Sequence, residues 1–344
     1  MAHLKVLFIG GSGIISASCV REAVRQGMEV TVLNRGTSTL RSLPEEVVRL
    51  TADVNDPEAV REAIGERHYD AVINWVNFVP AQVQRDIDLF SGRCDQYVFI
   101  SSASAYQTPP ARMPVVESTP LKNPHWQYSR DKIACEELLV AAYRERDFPM
   151  TIVRPSHTYD ETLLPFEAKW NVIERMRAGK PVVVHGDGTS LWTITHSRDF
   201  AVGLVGLLGK EAAIGEPFHI TGDEAPSWNQ IFEAAAAAAG VAEPELVHIA
   251  SETIAAEVPE WGPGLLGDKA HTMLFDNAKI KRLVPEFGRS TTPFKLGIRE
   301  VVAWYDADPE RRVSDPGVDE VQDRLIETYA PPPRKRRPVS SSAG

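Results

Sequence analysis

Cysteine is scarce, with three in 344 residues. Cys19, Cys94 and Cys135 are far apart and odd in number, which excludes a disulfide framework and suits reduced thiols packed as small core residues in a cytoplasmic protein. Long apolar runs are absent. The chain enters its first strand almost directly, with no charged leader and no small-residue cleavage site, so neither membrane insertion nor export is expected. Positive charge is in deficit: 47 acidic against 37 basic side chains give a formal net charge of −10. Such a surface repels polyanions, and nucleic acid is a disfavoured partner. The nine histidines form no His-x-His or His-Glu-x-x-His pairing, so no metal site is expected. No repeat at solenoid or propeller period is seen. What the chain has is core material, 43% hydrophobic against 24% charged residues, enough for one large domain or two smaller ones.

Through residue 154, short apolar runs alternate with longer amphipathic segments, the pattern of βαβ units in a doubly wound parallel sheet. The spacing predicts strands near 4–9, 29–33, 47–51, 70–74, 96–101 and 149–153 and helices near 14–27, 56–66, 80–91 and 127–146. Asp56-Pro57 and Pro80 mark two helix starts, because proline in a first turn loses no hydrogen bond. The expected organisation is a dinucleotide-binding domain over 1–155 and a smaller, mainly helical substrate region over 156–330, some segments of which return to the first sheet. A basic tail over 331–344, "PPPRKRRPVSSSAG", lacks apolar residues to bury and is expected to be disordered. "FEAAAAAAG" at 232–240 reads as a closely packed helix stopped by Gly240.

"VLFIGGSGIIS" at 6–16 is a strand that breaks into Gly10-x-x-Gly13-x-x-Ser16. Gly10 permits the tight turn, Gly13 allows close approach of the main chain to a pyrophosphate, and the following helix start, through Ser12, Ile14 and Ile15, offers unpaired N–H groups. Ser16 stands where a third glycine is usual, and its small side chain is tolerable there. The second strand ends "VTVLNRG" with Asn34 and Arg35 and no carboxylate. An acidic residue at this place binds the 2′-hydroxyl of NAD and an arginine suits the 2′-phosphate of NADP, so NADP is favoured and NAD remains possible. A solvated turn arginine is the plainer reading of Arg35. In "TADVND", Asp53, with Val54 beside it, follows a third strand where it could meet the adenine amino group.

"WQYSRDKIACEELL" places Tyr128 and Lys132 at i and i+4, on one helical face. A nearby ammonium is expected to lower the phenol pKa and let Tyr128 exchange a proton with a substrate hydroxyl, while Lys132 holds the nicotinamide ribose. Just upstream, "YVFISSASAY" puts Ser101, Ser102 and Ser104 at the carboxyl end of a strand, where parallel sheets bind ligands.

With these residues in order, the chain resembles the extended short-chain dehydrogenases/reductases, the group that contains nucleotide-sugar epimerases and dehydratases. "DAVINWVN", "VRPSHTYD", "HGDG" and "THSRDFA" add to the match over about the first 200 residues. The resemblance implies an acid/base set of Ser102, Tyr128 and Lys132, main-chain cofactor contacts at Asn74 and Val76, and a stretch from Pro155 through Ser156 to His157 beside the nicotinamide. Ser102 and Ser104, at the strand's carboxyl end, are candidate substrate contacts, and Trp192 is a third. In "GDGTSLWTITHSRDFA" those sugar-nucleotide enzymes commonly carry a diphosphate-gripping arginine where this chain has Trp192, which stacks on a substrate or is simply buried. Lys169, Arg175 or Arg198 could supply the missing cation. His196 is expected to start a helix.

The resulting expectation is an NAD(P)-dependent enzyme of the epimerase/dehydratase type that moves hydride at a carbinol carbon of a sugar or nucleotide-sugar-like small molecule. The alternatives are an NADPH-dependent reductase or dehydrogenase of a non-nucleotide small molecule, an RNA-binding protein like the chloroplast stem-loop relatives that "VLNRG" resembles, and a redox sensor. Segments 80–91 and 127–146 are plausible for a homodimer interface.

Overall fold

The structure, a computed structural model, describes residues 3–37, 40–289 and 291–330. The expected tail over 331–344 lies outside the described residues. The first half is β1 (Lys5–Ile9), α1 (Ser16–Arg25), β2 (Glu29–Asn34), β3 (Val48–Thr51), α2 (Pro57–Ile64), β4 (Ala71–Asn74), α3 (Pro80–Phe90), β5 (Tyr97–Ile100), α4 (Gln127–Arg146) and β6 (Met150–Pro155). The second half is β7 (His157–Tyr159), α5 (Trp170–Arg177), β8 (Val182–His185), β9 (Ile194–His196), α6 (Ser197–Leu207), β10 (Pro217–Ile220), α7 (Trp228–Ala238) and β11 (Leu246–Ile249), followed by short helical segments and two longer helices, Phe294–Asp306 and Pro316–Tyr329.

Seven strands form one parallel sheet in the order β10-β6-β5-β4-β1-β2-β3. β4, β5 and β6 are buried at every position because both sheet faces are covered. One face packs on α1 and α6 through Cys19, Val20, Phe200 and Leu204. The other packs on α2, α3 and α4 through Val60, Ile87, Cys135 and Leu139. All three cysteines are buried and unbridged. Strand order reverses between β1 and β4, so the loops after these two strands part and leave a crevice at the carboxyl edge.

Beyond β6 the chain serves both halves. α6 and β10 complete the sheet's layers, while α5, α7 and the helix Phe294–Asp306 enclose a separate core of Phe166, Trp170, Trp192, Trp228 and Phe294. Two short parallel pairs, β7 with β9 and β8 with β11, attach to this second core. The local signals behave as chemistry requires. Asp56 accepts from the amides of Glu58 and Ala59 ahead of α2, Ser227 and Gln230 form a capping box at α7, and Gly240 beyond α7 takes a φ of 81°. His196 caps α6 by accepting from the Arg198 amide.

Candidate active site

The loop after β1 is shaped by close approach. Gly10 has a φ of 91°, and a Cβ there would lie 2.8 Å from Val76; a Cβ at Gly11 would lie 2.9 Å from Val32. Ser16 is more than a tolerated substitute for glycine. Its buried hydroxyl accepts from the Gly13 amide at 2.8 Å and donates to the Gly10 carbonyl at 3.0 Å, stapling the loop from within. The amides of Ile14 and Ile15 donate to no acceptor among the described residues, which leaves two N–H groups at the start of α1 for an anion. Beside them runs a cleft of about 900 Å³ lined by Gly10, Ser12, Asn34, Arg35, Asp53, Val54, Val76 and Phe78. Asn34 Oδ1 accepts from the Gly36 amide and Asp53 Oδ1 from the Asn55 amide, so both side chains brace their turns. Arg35 makes no hydrogen bond or ion pair among the described residues. Asn74 is buried, accepting from the Val76 amide at 2.7 Å and donating to Asp86; it sets the turn that carries Val76 into the cleft. Unpartnered amides, a glycine floor that no side chain could share, and a free guanidinium fit a dinucleotide.

A second cavity of about 820 Å³ adjoins it and brings together Ile15, Ser102, Ser104, Tyr128, Pro155, His157 and Trp192. Ser102 and Ser104 arrive on the turn after β5, Tyr128 on the first turn of α4, and Pro155 to His157 at the end of β6. The serine hydroxyls form a chain, Ser102 to Ser104 at 2.8 Å and Ser104 to buried Ser129 at 2.7 Å, so Ser102 is oriented from behind. The Tyr128 phenol pKa is raised by burial, and a hydrogen bond with Ser102 draws it partly back.

Lys132 departs from the sequence expectation. It is buried one helical turn below Tyr128 and donates to the carbonyls of Asn77 at 2.6 Å and Ile100 at 2.8 Å, with the Phe78 and Phe99 rings each 4.8 Å away. Burial lowers its pKa to about 8, although Cys135 and Glu136 act in the opposite sense. The i, i+4 spacing does place both side chains on one face. However, the ammonium is turned toward main-chain oxygens, so the expected lowering of the phenol pKa is replaced by a rise.

Other expectations are corrected by position. Ser101 bonds Glu136 and does not line the cavity. Arg175 is buried against Asp319 and Asp323, Arg198 pairs with Glu300, and Lys169 precedes α5; none of the three reaches the cavity lining. Trp192 borders the cavity, yet its ring packs on His157 at 4.4 Å and Trp228 at 4.5 Å, the buried-aromatic role. His157 is held neutral, its pKa lowered to about 3 by burial and then by Lys269, and its Nε2 has no partner.

Sequence reasoning missed Trp126, Asp268, Met273 and Phe275, which complete the wall. Trp126 is adjacent to a recognised motif and was within reach. The other three come from 268–275, a stretch with no periodicity, brought in by main-chain pairing of Met273 with Leu191 and of Val115 with Leu274.

A parallel doubly wound sheet with a glycine-turned cleft at its switch point, and a hydroxyl-lined cavity near it across the Phe78 and Tyr128 rings 6.4 Å apart, is the arrangement of a dinucleotide-dependent enzyme class. A model of the NAD dependent epimerase/dehydratase family matches residues 6–221, and the chain belongs to that family of NAD-dependent enzymes. Among curated proteins it is 28% identical over 307 residues to 2′-dehydrokanamycin reductase of Streptomyces kanamyceticus, covering 88% of this chain and 84% of that protein. It is 27% identical over 258 residues to chloroplast stem-loop binding protein of 41 kDa b of Arabidopsis thaliana, covering 71% of this chain and 65% of that protein. The fold is shared with an epimerase from Methanothermobacter thermautotrophicus, with a TM-score of 0.73 and 16% identity over 90% of this chain and 94% of that one. It is also shared with a dTDP-glucose 4,6-dehydratase from Bacillus anthracis in complex with NAD, with a TM-score of 0.71 and 17% identity over 89% of this chain and 98% of that one.

Proposed function

We propose that this enzyme transfers hydride at a carbinol or carbonyl carbon of a sugar-like small molecule, with Tyr128 and Ser102 handling the substrate oxygen and Lys132 beneath them. The observation that carries the reading is the convergence of the Ser102 hydroxyl and the Tyr128 phenol on one cavity that adjoins the dinucleotide cleft. The nicotinamide, when bound, supplies or accepts the hydride. Ser102, held by Ser104 and Ser129, donates a hydrogen bond to the substrate oxygen. Tyr128, a buried phenol that stays protonated at neutral pH, gives its proton to that oxygen as a ketone becomes an alcohol, and takes it back in the reverse direction. Lys132 has a third N–H beyond its two carbonyl bonds, directed to the cofactor ribose in this reading. Main-chain contacts at Asn74 and Val76 and the neighbourhood of Pro155 and His157 hold the ring side.

Arg35, at the cleft and without a partner among the described residues, supports binding of the 2′-phosphate of NADP. A protonated phenol and an NADP-type cleft favour reduction with release of the cofactor over internal recycling. The breadth of the match to 2′-dehydrokanamycin reductase supports the same choice. Native mass spectrometry of freshly purified protein tests it: NADP that washes off supports the reductase, and NAD retained at one per chain overturns that choice in favour of an epimerase or dehydratase. Salt-dependent retention of RNA would instead support the stem-loop reading.

A further inference from the structure

The wall of the catalytic cavity has an uneven charge. It contains the carboxylate of Asp268 and, among the described residues, no lysine or arginine. Lys269, the adjacent cation, is paired with Glu167 at 2.7 Å, with its ammonium 5.5 Å from the Trp192 ring centroid. Lys132 is turned to main-chain carbonyls. His157 is neutral, and the ring of His271 is bonded to the Leu266 carbonyl. Glu167 offsets part of the Lys269 charge, and Asp268 is the charged side chain of the chamber's own lining.

Its position is built. Asn123 Nδ2 donates to the Gly267 carbonyl at 2.7 Å and to the Ser104 carbonyl at 2.8 Å, tying the Asp268 segment to the turn that carries the catalytic candidate Ser102. Trp228 Nε1 donates to the Lys269 carbonyl at 3.0 Å and Ser190 Oγ to the same oxygen at 3.2 Å. Gly267 lies so close to Trp126 that a Cβ would meet its Cβ at 3.0 Å. Asp268 is therefore fixed on both sides, facing the same space as Tyr128.

We infer that Asp268 is a specificity-determining residue that holds an ammonium group of the substrate, and that the substrate is an amino-substituted polyol rather than a nucleoside diphosphate ester. This rests on the cavity being the substrate chamber, as proposed above. A diphosphate carries at least two negative charges, which would be stripped of water against a carboxylate with no lysine or arginine in the lining to receive them. An ammonium on a sugar or cyclitol ring meets the opposite situation, a charge-assisted hydrogen bond in a partly dehydrated site. The Asp268 carboxyl pKa is raised by burial, with Lys269 and the bond from Trp192 acting against the rise.

Calorimetric titration of the full chain tests the inference, using kanamycin, fully N-acetylated kanamycin and UDP-glucose as probes at near-physiological salt. Kanamycin is expected to bind, the acetylated form and UDP-glucose to bind at least tenfold more weakly, and Asp268→Asn to lower kanamycin affinity by roughly 10- to 100-fold. Glu137→Gln, on an exposed stretch of α4, controls for non-specific attraction and should leave affinity unchanged. Tighter binding of UDP-glucose, equal binding of acetylated kanamycin, absence of kanamycin binding, or indifference to Asp268→Asn would each overturn it. Loss of amine binding in Asp268→Asn together with full turnover in Tyr128→Phe would sink the catalytic reading while leaving this one standing.

Discussion

Tyr128 and Lys132 occupy one helical face, yet their polar ends go to different places, and a single-residue change should separate the two. Tyr128→Phe removes the proton donor while the ring still packs against Trp126 and Phe78. Turnover should fall by about 10²- to 10⁴-fold, with dinucleotide affinity within about twofold of the parent by fluorescence titration. Arg35 offers the complementary test at the far end of the cleft. Replacing it with alanine should weaken NADPH binding by roughly 10- to 100-fold, the worth of charge-assisted bonds to a phosphate, and leave NADH binding nearly unchanged. An equal loss for both cofactors would assign Arg35 to the solvated turn instead.

Among the elements, the β1–α1 loop carries a second kind of test. Ser16 bonds both Gly13 and Gly10, so Ser16→Ala should lower stability by about 1–2 kcal/mol, read from urea midpoints. Six strands and four helices of the first half were legible because short apolar stretches such as VLFI and YVFI alternate with longer amphipathic ones, and because Asp56-Pro57 and Pro80 mark the starts of α2 and α3. β7 and β9, at three residues each, are too short for any periodicity. The two clefts were legible at their motif-bearing walls, since Gly10, Arg35, Ser102 and Tyr128 sit at strand ends and a helix start. Asp268 was not, because its place depends on tethers from Asn123, Ser190 and Trp228, which are remote in sequence. The direction of the Tyr128 shift was also illegible: spacing fixes a shared face, but where a lysine's long stem delivers its ammonium depends on which carbonyls lie below.

At the scale of the whole molecule, buried histidines set a limit in acid. His157, His185 and His196 have pKa values lowered mainly by burial from 6.5 to about 3, 4 and 4, and each has an unpartnered Nε2. As pH falls below 6.5 the unfolded chain binds protons that the folded one refuses, so stability is full above that pH and declines toward pH 4. Each should cost roughly 2 kcal/mol by about pH 5. Urea unfolding at pH 7 and 5 checks the sum, and an unchanged midpoint would show that these rings find protons in the fold.

β10 has a consequence for how the molecule comes into being. A ribosome will have released the first six strands well before residues 217–220 emerge, and until then the β6 edge, whose six residues are all buried in the finished fold, waits with its main-chain groups unmatched. A piece ending at Pro155 would carry that sticky seam permanently and should sediment as aggregate, whereas one extended past Ile220 closes it. The enzyme's two halves are thus stitched together by the thread itself, and neither can be inherited without the other.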